Sequence, residues 1–202
     1  MPAFQGKQLL IASANQGKIK EIKALLHPFP LEVVGLDHDG VVSPDETGKT
    51  FIDNAILKAK YYGQHAGMPA LADDSGLMVE ALGGAPGVQS SRWAEENGGY
   101  ESAMEQLKHD ISESRTGNYN AAFICALALW WPDGSEEGRV ETFEGRVDGS
   151  LSFPPRGSHG FGYDPIFVAD GQRVTFAEMT PEEKHAISHR ARAFEKFIQG
   201  CF

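Results

Sequence analysis

Leu9, Leu10 and Ile11 form a short apolar run ahead of a polar turn, which predicts a buried strand over Lys7–Ala12. Ile19, Ile22, Leu25 and Leu26 then recur at helical spacing until Pro28 stops the pattern, giving a strand-turn-helix opening. The run "LEVVGL" supplies a second short strand, and residues 37–50 form a long polar connection carrying Pro44 and Gly48. From Thr50 the pattern is helical again, with Phe51, Ala55, Ala59 and Tyr62 on one face, Asp53 at the third position and Gly67 as the stop. "PALADDSG" reads as strand then turn, the turn falling just after Ala72, and "LMVEAL" as a further strand before the glycine-rich "GGAPG". Tyr100, Ala103, Met104 and Leu107 predict another helix. "NYNAAFICALALWW", a Pro-Asp-Gly turn and the alternating stretch around Val140 and Thr142 predict a hairpin, with Trp130 and Trp131 in core and strand-end packing. The last segment opens on a capping box, Thr180 with Pro181 and Glu183, followed by Ile187, Ala191, Phe194 and Ile198 at helical spacing. Irregular alternation of the two periodicities predicts an α/β fold, a mixed twisted sheet with flanking helices. No repeat or linker divides the chain, so residues 1–202 are expected to form a single domain.

Composition narrows the function more than the fold. With 41% hydrophobic and 23% charged residues, the chain has the balance of a soluble globular protein. A net charge of −10 argues against a general nucleic-acid binder, which needs a basic surface, yet leaves room for one phosphate-bearing ligand held by a few lysines or a metal ion. The two cysteines, Cys125 and Cys201, make neither a disulfide framework nor a zinc motif. The apolar stretch near the N-terminus is too short for a signal-peptide core or a membrane span, so no membrane association and a cytoplasmic location are expected.

Four groups of residues could carry chemistry. "SANQGK" (Ser13, Ala14, Asn15, Gln16, Gly17 and Lys18) lies between a strand and a helix, where backbone N–H groups and the Lys18 charge suit an anion. Ser13 and Asn15 could equally be capping the helix, and the loop lacks the Walker A pattern. The adjacent carboxylates Asp73 and Asp74, followed by Ser75, repel unless they share a proton or a cation. Mg²⁺ resolves that conflict, with one carboxylate left to take a proton from water; Glu46 is either a third oxygen ligand from the long loop or an exposed acidic loop residue, and a structural turn is the other reading of the pair. Lys58 points toward this site or is a solvated surface lysine. In "SHGFGYDPIF", Gly160 and Gly162 permit close backbone approach, Phe161 and Tyr163 offer flat faces, and Asp164 before Pro165 is an acceptor expected outside the helical region. That set suits a planar heterocycle, or is a plain turn packed with aromatics.

Lys184, His189 and Arg190 supply cationic or donating tips in the last segment. On one unbroken helix His189 would stand about 140° and Arg190 about 240° from Lys184, too far apart for one ligand. Service of a single site therefore predicts a break near Ile187 with Ser188 as N-cap of the final helix. His185 and His189 are spaced as a possible metal pair, but no HExxH or third ligand accompanies them.

Taken together, "SANQGK", "DETGKTFIDNAILKA", "ADDSGLMVEALGGAPGVQSSRWA", "GFGYDPIF" and "EEKHAISHRARA" resemble the inosine triphosphate pyrophosphatase family, in order from about Leu9 to Phe194. The resemblance implies an elongated, two-lobed α/β protein with a central cleft, usually a homodimer, that needs Mg²⁺ and splits inosine, xanthosine and deoxyinosine triphosphates into monophosphate and pyrophosphate. It implies triphosphate contacts from Ser13, Asn15 and Lys18, metal and water work from Glu46, Asp73 and Asp74, with Asp74 as general base. It also implies base recognition by residues 161–164 with Lys184, His189 and Arg190. Two departures stand out: Ser13-Ala14 where the family often has Thr-Gly, and Ser158-His159 where a glycine-rich stretch is usual, so Ala14 must manage without a glycine-only conformation and His159 has no assigned role. The rival classes are a phosphatase releasing orthophosphate, which would want an Asp where Ser13, Ala14 and Asn15 stand, and a non-catalytic nucleotide-binding protein.

Overall fold

The computed structural model describes residues 7–36, 43–135 and 137–201, so the first part of the long polar connection and Glu136 in the hairpin turn lie outside the described residues. In chain order the elements are β1 Gln8–Ala12, α1 Gln16–Leu26, β2 Glu32–Gly35, α2 Phe51–Ala66, β3 Ala70–Val79, α3 Ser90–Glu96, α4 Tyr100–Glu113, β4 Asn120–Trp131, β5 Arg139–Leu151, β6 Phe167–Ala169, α5 Pro181–Ile187 and α6 His189–Cys201. The sheet is six-stranded with the order β2-β1-β3-β4-β5-β6. It is mixed, as predicted: β1 runs parallel to β2 and to β3, whereas β5 and β6 are antiparallel. Consecutive strands β4 and β5 are neighbours, in keeping with the predicted hairpin.

Caps fix several boundaries where the sequence places them. Thr50 Oγ1 accepts the Asp53 N–H while the Asp53 carboxylate accepts the Thr50 N–H, and α2 ends on Gly67 in the left-handed region at φ 63°. Thr180 and Glu183 form the same reciprocal pair at the start of α5. The predicted break is present: Ser188 is extended at φ −68° and ψ 157° and ends α5. Its Oγ then accepts the Ala191 N–H at 3.1 Å, which caps α6.

One expectation is overturned. No turn follows Ala72, because β3 continues unbroken from Ala70 to Val79 through both aspartates, Ser75 and Gly76. Those residue types favour turns when their side chains must find backbone partners locally. Here Asp73 and Asp74 are held by lysines from other elements, so the strand retains them. The anticipated strand in "LMVEAL" is the end of β3, followed by a 3₁₀ turn over Glu80–Leu82. Asp164 likewise opens a 3₁₀ turn, Asp164–Ile166, rather than standing in extended backbone; its carboxylate is tied to its own loop. The short elements α3 and β6 have no counterpart in the sequence reading.

The chain divides into two compact units, residues 1–74, 125–145 and 192–202 in one and residues 75–124 and 146–191 in the other. The first has a core in which Leu9 and Ile11 of β1, Ile22 of α1, Leu71 of β3, Leu127 of β4 and Phe197 of α6 are fully buried. Trp130, predicted to pack in the core, is buried and donates its Nε1–H to the Glu137 carbonyl at 2.9 Å, and the Arg139 guanidinium lies over Trp131. In the second unit Leu77 and Val79 of β3, Leu107 of α4, Phe167 of β6 and Phe176 form the buried centre. Among the described residues no helix is long and apolar enough to cross a membrane.

Candidate functional site

The first unit holds one charged cluster around the loop after β1 and the first half of β3. Between β1 and α1, Ser13 Oγ accepts the Asn15 N–H at 3.2 Å and Asn15 Oδ1 accepts the Lys18 N–H at 3.1 Å. The capping reading therefore holds for Asn15, the N-cap of α1, whereas Ser13 closes the turn before it. Gln16 and Gly17 open the helix, where N–H groups have no intrahelical partner. Ala14 needs no glycine-only conformation, since Arg115 is the one described non-glycine residue with positive φ. Lys18 reaches across to Asp73, with Nζ 2.8 Å from Oδ1, and the buried Cys125 thiol donates to Asp73 Oδ2 at 3.2 Å.

Asp74 has a separate set of partners, as alternation along a strand requires. Lys58 Nζ lies 2.7 Å from Asp74 Oδ1 and 2.7 Å from Glu46 Oε1, so one ammonium is shared by two carboxylates. Lys58 is thus a member of the cluster and not a solvated surface lysine. Asn54 Nδ2 donates to the other oxygen, Asp74 Oδ2, at 3.3 Å. Burial pushes the Asp74 carboxyl above the usual carboxylate range, against the opposing pull of Lys58 and Lys18. For Lys58 burial works to lower the pKa, but the Asp74 and Glu46 carboxylates outweigh it and hold the ammonium above its ordinary value. Among the described residues, Glu46, Asp73 and Asp74 set three carboxylates around the two ammoniums of Lys18 and Lys58.

The second unit gathers aromatic rings and cations. Asp164 Oδ2 accepts both the Phe161 N–H at 2.9 Å and a hydrogen bond from Lys184 Nζ at 2.6 Å, tying the loop to α5. Gly160, at φ 72°, lies against that same oxygen, which a Cβ would strike. Lys184 Nζ stands 5.0 Å and the Arg190 guanidinium 5.7 Å from the centre of the Phe161 ring. Arg190 donates to Ser75 Oγ at 2.9 Å, and His189 stacks on Phe123 with ring centres 4.7 Å apart. The break at Ser188 is what brings Lys184 and Arg190 over one ring. Tyr163, expected to offer a flat face, is buried instead, with its hydroxyl donating to the Ser90 carbonyl at 2.9 Å. Gly162, at φ 66°, packs near Tyr100, and His159 is exposed.

Among the described residues no three His, Cys, Asp or Glu side chains are arranged as a ready metal cage. Glu46 and Asp74 nevertheless offer the hard oxygens that Mg²⁺ prefers, and it commonly uses one or two carboxylates with waters and substrate phosphates completing its shell. The shared Lys58 ammonium marks a place where a cation sits between them. In chemical terms, the first cluster suits a metal-bound polyphosphate and the second a flat, hydrogen-bonding ring.

The sequence matches the Ham1 family over residues 9–200. The chain belongs to the Ham1 family. As a Ham1 chain it is 49% identical over 195 residues to the dITP/XTP pyrophosphatase of Zymomonas mobilis, covering 96% of this chain and 91% of that protein. It is 48% identical to the protein of the same name from Rhodospirillum centenum, covering 98% and 97%. The solved HAM1 protein of Coxiella burnetii superposes with a TM-score of 0.86 at 36% identity, over 96% of this chain and 98% of that one. The family expected from the sequence blocks is borne out. Asn54, Cys125, Phe123 and Phe176, whose ring centre lies 5.7 Å from Lys184 Nζ, were not foreseen at the site. Asn54 had a readable signal, standing four residues before Lys58 and so on the same face of α2.

Proposed function

We propose that this chain hydrolyses the triphosphates of non-canonical purines, ITP, dITP and XTP, to the monophosphate and pyrophosphate, clearing them from the nucleotide pool. The observation that supports this best is Asp74, buried on a strand, with a lysine at one oxygen that it shares with Glu46. The chain works as one domain over residues 1–202 with Mg²⁺ as cofactor, as a cytoplasmic homodimer acting on a small molecule, with no nucleic acid and no membrane as partner.

Glu46 and Asp74 would hold the Mg²⁺, and Asp73 acts from behind by fixing Lys18. The metal, when bound, neutralises phosphate charge and polarises the phosphate under attack. Lys18, Lys58 and the backbone of residues 13–17 take the remaining triphosphate charge. Asp74 accepts a proton from the attacking water while the oxygen of that water bonds to the α phosphorus; the bond from that phosphorus to the α–β bridging oxygen breaks and pyrophosphate leaves.

For the base, His189 and Arg190 are donors that satisfy a 6-oxo group and leave the 6-amino group of adenine mispaired. A site built on such buried donors separates substrates by up to about 10⁴-fold. Phe161 gives the flat face, Gly162, Tyr163 and Asp164 shape its loop, Lys184 holds Asp164, and Ser75 holds Arg190. The test is product identity from ITP with and without Mg²⁺. Pyrophosphate that requires the metal supports the proposal; orthophosphate makes the chain a phosphatase, and no product makes it a binder.

A further inference from the structure

We infer that Asn54 is a positioning residue that couples the Glu46 loop to Asp74. It is 1% exposed, in the first turns of α2, and both ends of its amide are used. Oδ1 accepts the Gly48 N–H at 2.7 Å, and Nδ2 donates to Asp74 Oδ2 at 3.3 Å. The first bond settles the second. An N–H pointing at Oδ1 fixes which way the amide faces, so the group turned toward Asp74 is obligatorily a donor.

Only Thr47 separates Gly48 from Glu46, so the bond that holds Gly48 also sets the loop segment that brings Glu46 Oε1 to Lys58. Gly48 is fitted to this contact. A Cβ there would strike Asn54 Oδ1 and come within 2.7 Å of Asp53 Cβ. A bulkier residue would push the loop off the amide. Asp74 meets donors on both oxygens, Lys58 at Oδ1 and Asn54 at Oδ2, which sets the plane of its carboxylate. One buried amide therefore registers the two carboxylates against each other. This rests on the reading of Asp74 as the general base and Glu46 as its companion.

Three variants separate the arms. Asn54→Asp keeps an oxygen for the Gly48 N–H and replaces the donor facing Asp74 by an acceptor. Asn54→Ala removes both bonds, and Gly48→Ala displaces the loop while leaving Asn54 in place. Each is measured for kcat, KM, thermal midpoint, and hydrogen exchange at the Gly48 amide without substrate or metal. Partners of this kind, one shell behind the reacting groups, are worth about 10- to 100-fold in activity. The expected result is a kcat loss of that size with little change in KM for all three. Gly48 protection is lost in Asn54→Ala and retained in Asn54→Asp. Combining Gly48→Ala with Asn54→Ala costs less than the product of the single losses, because both break one link. Folded variants with wild-type kcat overturn the coupling, as does unchanged protection of Gly48 in Asn54→Ala. Asp74→Asn run alongside tells the failures apart: if it is inactive, the coupling alone is wrong, and if it turns over normally, the reading beneath it falls too.

Discussion

The two clusters use buried charge in opposite ways. Around Asp74 three carboxylates face two lysines, the ammonium of Lys58 is divided between two acids, and Glu46 keeps about a third of its side chain exposed (36%). Around Asp164 one carboxylate faces one lysine, with side-chain exposures of 3% and 4%, and aromatic rings cover the cation. The first arrangement stays partly open, since the Glu46 carboxylate remains accessible beside the shared ammonium. The second is sealed, with Lys184 buried under aromatic rings and Arg190 lying over the same Phe161 ring, so the Asp164–Lys184 pair holds a shape. The two sites thus differ in how far their ion pairs are exposed.

The contrast breaks most sharply at Asp74. Asp74→Asn keeps the size and removes the proposed base, so turnover is expected to fall by about 10³- to 10⁴-fold while nucleotide affinity, measured by equilibrium binding, is retained. At Asp164 the larger effect falls on stability. Lys184→Met leaves a buried carboxylate without its lysine and costs about 3–5 kcal/mol in urea unfolding. Adding Asp164→Leu recovers most of that stability without restoring affinity for ITP, which separates the structural part of the pair from its recognition part. Next in size is discrimination: Arg190→Met removes a charged donor and lowers the preference for ITP over ATP by about 10- to 100-fold, read as a ratio of kcat/KM values. Smallest is Thr180→Ala, which removes the α5 cap and costs about 1 kcal/mol, seen as a lower thermal midpoint with unchanged KM.

Legibility in the sequence followed the range of the interactions. Caps are local, so Thr50, Gly67 and Thr180 could be read directly, and the break at Ser188 followed from asking how Lys184 and Arg190 could meet. The sheet class was readable from periodicity. β3 was not, because Asp73, Asp74 and Ser75 owe their place in a strand to Lys18, Lys58 and Arg190, which come from distant segments. Tyr163 shows the same limit from the other side: an aromatic in a glycine-rich loop looks like a ligand face until the Ser90 carbonyl is found at its hydroxyl. Cys125 was invisible as a site residue since it matters only through the carboxylate it touches, and Asn54 was readable only through its spacing to Lys58.

The most direct test of water attack at the α phosphorus is hydrolysis of ITP in ¹⁸O-labelled water with Mg²⁺, followed by mass analysis of both products. Attack there places the label in inosine monophosphate and none in pyrophosphate. Label in pyrophosphate, or in released orthophosphate, contradicts it.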